Sequence, residues 1–323
     1  MTTETIDTPE AMYRAFAALK VEGGWHRRSP ALWPAPRRNF LPFRWRWQDV
    51  KPVLDAAGRF VSTEFAERRN LTLTNPAPGN EYATVRTIVA AYQMMLPGET
   101  ARCHRHSPNA LRLVLEGRGT YTIVDGERLE MEPGDVLLTP NWSWHAHGTE
   151  GTDACYWLDY LDVPLVQLLE PMFFERHPQE HETEIHTPAS SPMVFPFRET
   201  VARLHAAGPD AQRTADREVE LGAPALQTID LHVQQLDRGT ITPTVRTTAN
   251  QIYTVISGSG RTTVDGESLD WHRGDTIAVP AWQPYSHHVD EDSMLFKVTD
   301  RPVMQKLRFL WTGLPDGGYH RDC

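Results

Sequence analysis

Lysine is nearly absent from this 323-residue chain: only Lys20, Lys51, Lys297 and Lys306 occur, and arginine supplies the rest of the 32 basic residues. Against 42 acidic residues this leaves a net charge of −10, which disfavours a nucleic-acid-binding surface. Cysteine is scarce too. Cys103, Cys155 and Cys323 are odd in number and far apart, so no disulfide framework is expected and a reducing compartment is. No apolar run approaches the ~18 residues of a membrane helix. The polar, acidic start MTTETIDTPEAMYRAF is unlike a secretory signal, so a cytoplasmic location and no membrane partner are expected. Neither end carries a helix-turn-helix pattern, which counts against a transcription regulator.

What is present is organised by period. Thr8-Pro9-Glu10 followed by Met12, Phe16 and Leu19 reads as a helix start. Residues 25–47 form an arm rich in arginine and tryptophan. Its prolines exclude regular structure, so it needs a partner surface, on its own barrel or on a neighbouring subunit. A short helix from Trp47 is expected to end at Gly58. From about residue 83 the period becomes two, and short strands alternate with glycine turns, the pattern of an all-β sandwich or barrel. Residues 163–185 look helical, and 186–220 read as a linker with a short helix at 199–207.

The strand pattern then returns. Glu116-Gly-Arg-Gly-Thr-Tyr-Thr-Ile-Val-Asp-Gly126 matches Ser257-Gly-Ser-Gly-Arg-Thr-Thr-Val-Asp-Gly266, and Pro133-Gly-Asp matches Arg273-Gly-Asp. The offset is 141 residues, falling to 140, so the chain holds an internal duplication and two similar β-domains. The division expected is an arm over 1–82, a first barrel over 83–162, a linker over 163–222 and a second barrel over 223–323.

The first copy carries His104-Arg-His106, and His145 follows thirty-nine residues after His106. In a strand, His104 and His106 point the same way, and a third histidine from a neighbouring strand completes a face of three imidazoles. Such ligands suit iron, zinc, copper or nickel and leave open positions for substrate and dioxygen; a closed structural zinc would need a fourth ligand. In the second copy the three positions are Val245, Thr247 and Tyr285, while the turn glycines persist. The fold needs the glycines and not the histidines, so the histidines are read as a site and the second copy as metal-free. A non-catalytic protein of two such domains that binds a small ligand would lose the histidines in both copies, and copy one is intact.

Gly98, the His-x-His pair and Gly117 resemble the first cupin motif. The glutamate ligand common in that motif is missing, its positions being Ala110 and Leu111. With Gln93-Met-Met-Leu-Pro-Gly-Glu99, Pro140–Gly148 and Tyr156-Trp-Leu-Asp159-Tyr-Leu-Asp162, the chain resembles bicupin ring-cleaving dioxygenases of the gentisate and salicylate 1,2-dioxygenase family. The resemblance runs from about Trp33 to Trp311 and disfavours other cupin enzymes such as thiol or diketone dioxygenases. It implies Fe(II) on His104, His106 and His145, a small aromatic carboxylate and O2 as reactants, and a homotetramer. It also implies cleavage between the carboxyl-bearing and hydroxyl-bearing ring carbons. Arg112, and more weakly Arg68 beside Arg69, would hold the carboxylate. Gln93 would line the pocket. His147 would bond substrate or superoxide, held by Asp159. Gentisate leads as substrate, with salicylate, a 5-nitro- or 5-halosalicylate and 1-hydroxy-2-naphthoate as alternatives. Asn70 and Ser107-Pro-Asn109 are polar positions that could tune the ring substituent accepted.

Overall fold

A computed structural model describes residues 6–26, 31–66, 68–222 and 226–313, and the backbone of 319–321. Cys323 lies outside these. Residues 1–37 and 38–323 form separate compact units. In the first, helix Pro9–Leu19 is capped by Thr8, whose hydroxyl accepts from the Ala11 amide, and it closes at Lys20 in a left-handed conformation (φ 56°).

The second unit contains two antiparallel double-sheet barrels, an all-β bicupin. In the first barrel a six-stranded sheet runs in the order 194–195, 136–139, 110–116, 155–161, 89–95, 69–72. The opposing five-stranded sheet runs 174–176, 100–106, 145–149, 120–124, 127–131. In the second barrel a six-stranded sheet, 43–45, 276–279, 251–257, 293–299, 230–236, 217–221, faces a three-stranded sheet, 267–272, 259–264, 285–289. The alternation of period two carries this arrangement: in Ser259–Val264 every second residue is buried. The two six-stranded sheets share one core. Tyr92, Leu113 and Tyr160 of the first pack with Ile252, Phe296 and Val298 of the second. The Tyr160 hydroxyl meets Thr254 Oγ1 at 2.6 Å, and Tyr92 donates to the Gly274 carbonyl at 2.7 Å.

The barrels also exchange their leading segments. The end of the arm, Phe43–Trp45, pairs with strand Thr276–Val279 of the second barrel, and the Trp47 amide donates to Asp275. In the same way Val194–Phe195 of the linker pairs with Val136–Thr139 of the first barrel, and the Phe197 amide donates to Asp135. The repeated Gly-Asp pair serves this exchange. Gly134 and Gly274 have φ of +91° and +87°, and a Cβ at either would lie 2.5–2.6 Å from the ring of Phe197 or Trp47.

Two local expectations are corrected. Helix Trp47–Phe60 runs through Gly58, where a Cβ would press within 3.0 Å of the Met94 side chain, so this glycine serves close packing rather than termination. The helix expected over 163–185 covers only Val163–Leu169; Glu170 turns left-handed (φ 72°) before Pro171, and Phe174–Arg176 continues as a strand. Among the described residues no helix is long and apolar enough to cross a membrane.

Candidate active site

One strand pair builds the centre of the first barrel. Thr100–His106 lies antiparallel to His145–Thr149 with His104 opposite His145, after a bulge between Ala101 and His104. Period two puts His106 on the face of His104. One ligating nitrogen from each of the three rings lies within 4.8 Å of the others. Each Nδ1 faces a backbone carbonyl two residues away: His104 to Arg102 at 2.9 Å, His106 to Pro108 at 2.9 Å, His145 to Ser143 at 3.1 Å. A carbonyl oxygen can only accept, so each Nδ1 carries the proton and each Nε2 lone pair is left for a metal. Burial, followed by the charge of Arg68, lowers His104 to about 4. Burial and Arg112 bring His106 to about 4. Burial, with His104 and Arg112 beyond it, lowers His145 further below the usual range. The trio is neutral at physiological pH and fits a divalent metal as three equivalent donors.

Arg112 is fully buried at the centre of the six-stranded sheet, opposite Asp159. Its Nη1 donates to Thr139 Oγ1 at 2.7 Å, and its Nε lies 3.4 Å from Asp159 Oδ1. Burial depresses this guanidinium to about 10, so it stays charged at neutral pH. Asp159 does not reach His147, contrary to the sequence-based pairing. Its Oδ1 accepts from Trp157 Nε1 at 2.8 Å and its Oδ2 from Gln93 Nε2, so its hydrogen-bond donors are Trp157 and Gln93, and Arg112 meets it as an ion pair at 3.4 Å. The register explains this. Trp157 and Asp159 share a face of one strand, Gln93 stands opposite Trp157, and His147 sits in the other sheet opposite Thr122.

His147 is consequently a buried, neutral imidazole with neither nitrogen hydrogen-bonded among the described residues. Its ring centroid is 6.1 Å from that of His145 and 5.9 Å from Trp157. An unpaired buried polar group of this kind waits for a partner that arrives with a ligand.

The two adjacent arginines separate cleanly. Arg69 bonds the Val61 carbonyl at 2.9 Å and pairs with Glu99, away from the histidines. The charge of Arg68 acts on His104, His106, Arg112, His147 and Asp159. Ser107 and Asn109 are engaged in bonds to neighbouring loops. The Ser107 hydroxyl accepts from the Phe173 amide, and Asn109 bonds Asp162 and Thr228. Asn70 is exposed opposite Gln93. Trp142 and Trp144 lie at the rim under the Arg105 guanidinium, at 4.5 and 4.3 Å.

Thr139, Trp157 and Phe174 were not singled out from the sequence. Trp157 could have been found by period two from Asp159. Phe174, whose ring lies 5.3 Å from that of His104, was hidden inside a helix-like stretch.

The cupin domain family matches residues 91–161 and 232–299, one segment in each barrel. The chain is 35% identical to a 5-aminosalicylate 1,2-dioxygenase of Comamonas sp, over 92% of this chain and 88% of that one. It is 32% identical to a gentisate 1,2 dioxygenase of Aquipseudomonas alcaligenes, over 88% and 90%. Among solved structures, the salicylate 1,2-dioxygenase of Pseudoaminobacter salicylatoxidans in adducts with gentisate superposes with a TM-score of 0.85 at 27% identity, covering 98% of this chain and 97% of that one. With an intact three-histidine face in one barrel and its loss in the other, the chain belongs to the gentisate and salicylate 1,2-dioxygenase family of ring-cleaving bicupins.

Proposed function

We propose that this enzyme opens the ring of gentisate or a related salicylate, using Fe(II) held by His104, His106 and His145. The observation that carries the reading is the trio of Nδ1-fixed imidazoles flanked by Arg68 and Arg112, a neutral donor set inside a positive field. Bound Fe(II) would bring the substrate oxygens and O2 together and relay electrons from the aromatic ring to O2.

The protein does the remaining work. Arg112 and Arg68 attract and orient the substrate carboxylate; arginine suits this because its planar fork donates two charge-assisted bonds. Asp159 is a positioning residue: with Thr139 it fixes the Arg112 fork, and it also anchors Gln93. Gln93 keeps its Oε1 without a hydrogen bond, an acceptor for a ring hydroxyl. His147, kept neutral by burial and by the charges of Arg112 and Arg68, offers a ring nitrogen to hydrogen-bond the substrate rather than to be protonated. The buried wall of Trp157 excludes water. Both oxygen atoms enter between the carboxyl-bearing and hydroxyl-bearing carbons, giving an oxo-dicarboxylic acid.

We assign the enzyme to the cytoplasm from its polar, acidic start and scarce cysteines, and to a homotetramer from the apolar surface near its site. Leu168, Leu169, Phe173 and Phe174 are each more than half exposed near the mouth of the first barrel, an apolar surface suited to a neighbouring subunit. Light scattering on the purified protein would test the tetramer.

O2 uptake by the Fe(II)-loaded protein against gentisate, salicylate, 5-amino-, 5-nitro- and 5-chlorosalicylate and 1-hydroxy-2-naphthoate tests the reading and ranks the substrates. Uptake with at least one of them is expected. No uptake with any, at one iron per chain, would contradict it.

A further inference from the structure

The second barrel is not a filled remnant of the first. Val245 pairs with Tyr285 as His104 pairs with His145, and the Trp282 amide donates to the Thr247 carbonyl as Trp142 donates to that of His106. Val245, Thr247 and Tyr285 line a cavity of about 640 Å³ where the first barrel has its histidines. That volume falls within the roughly 300–1,000 Å³ of small-molecule sites.

The polar lining has been rebuilt. Tyr253 stands opposite Lys297 as Arg112 stands opposite Asp159, so an acid has become a base at the equivalent place. Lys297 Nζ bonds both oxygens of Glu218 at 2.9 and 2.8 Å, and His232 Nδ1 lies 2.8 Å from Glu218 Oε1. Burial alone would raise the Glu218 carboxyl, but Lys297 and His232 outweigh it and hold it well below the usual range. Glu218 is thus an anion already matched by Lys297. Two further cations line the cavity. Arg301 is 3.7 Å from Asp230, and Arg246 lies over the Trp282 ring at 4.6 Å. The buried Nε of Arg246 and Nε2 of His232, a residue 6% exposed, have no hydrogen-bond partner among the described residues. Among the described residues, one positive charge and two buried donors or acceptors remain to be met, beside apolar walls from Val245 and Leu310.

We infer that the second barrel is a separate binding site for a small organic monocarboxylate, anchored by Arg246 with the apolar body lodged over Val245. It does not depend on the reaction assigned to the first barrel. A more highly charged anion would leave negative charge unmatched against this single surplus cation.

Calorimetric titration of benzoate into the iron-loaded enzyme under nitrogen tests this, counting molecules bound per chain. Two substitutions address the site: Arg246→Gln removes the anchor, and Val245→Phe adds only apolar bulk to the cavity. The count is expected to fall by one in each folded variant, or the second-site Kd to rise about ten-fold or more for Arg246→Gln. Ring-opening at low substrate concentration should be unchanged in both. A count and affinity that are the same in wild type and in the folded variants would overturn the proposal, and so would the absence of benzoate binding to wild type.

Discussion

His104, His106 and His145 owe their chemistry to what their Nδ1 atoms touch. Because three carbonyls fix the tautomers, replacing any one histidine by alanine should cut bound iron by at least an order of magnitude while the circular dichroism spectrum is kept. Iron retained in a variant would remove that residue from the ligand set. The low protonation range has a consequence for pH. A metal displaces protons only from imidazolium, and ordinary imidazoles at pH 6.5 would release roughly half a proton each. His104 and His106 titrate at about 4 and His145 also lies low, so metal uptake at pH 6.5 should release almost none. Proton release is read by calorimetry in buffers of different ionisation enthalpy; more than one proton per metal would contradict the assignment. Arg112→Gln should raise KM for a carboxylated substrate, since a charge-assisted bond is worth ~1.5–3 kcal/mol. An unchanged KM would take Arg112 out of carboxylate binding. The ligands were legible in the sequence because period two and the duplication both mark them. The partners of Asp159 were not, because its bonding depends on strand register, which puts Arg112, Gln93 and Trp157 closer than His147.

At the scale of elements, the repeated Gly-Asp turn carries more than a reversal of chain direction. Asp135 and Asp275 each accept an amide from a segment of the other half of the duplication, and the glycine before each leaves room for the aromatic ring that follows. Gly134→Ala and Gly274→Ala should each destabilise the protein by about 1–3 kcal/mol, through the unfavourable positive φ and the collision with Phe197 or Trp47. Urea unfolding of each variant checks this; wild-type stability in both would show that the rings move aside freely. The sequence displayed the two turns as equivalent, but which barrel each leading segment joins is a tertiary choice that no local pattern encodes. The stretch after Leu169 was misread for a related reason. Its apolar residues imitate helical spacing, whereas Phe174–Arg176 is held as a strand by pairing with the ligand strand, Phe174 opposite His106.

For the whole molecule, the duplication predicted two β-domains, and two barrels are present. They share a core through Tyr92, Tyr160, Ile252 and Phe296, and buried Thr87 of the first half bonds Asp300 of the second. Two bodies so joined should unfold together, giving one calorimetric transition; two resolved transitions would mean that the shared core contributes little. Functionally the two halves have diverged: one keeps a metal-binding face, and the other has exchanged it for Val245, Thr247 and Tyr285. The proposed reaction has the first half insert both atoms of O2 into an aromatic carboxylate. The most direct test is mass spectrometry of a rapidly quenched turnover of the best substrate under 18O2. Two labelled oxygen atoms in a ring-opened product that retains every substrate carbon are predicted. A product with one label or none, or one that has lost carbon dioxide, would contradict the account.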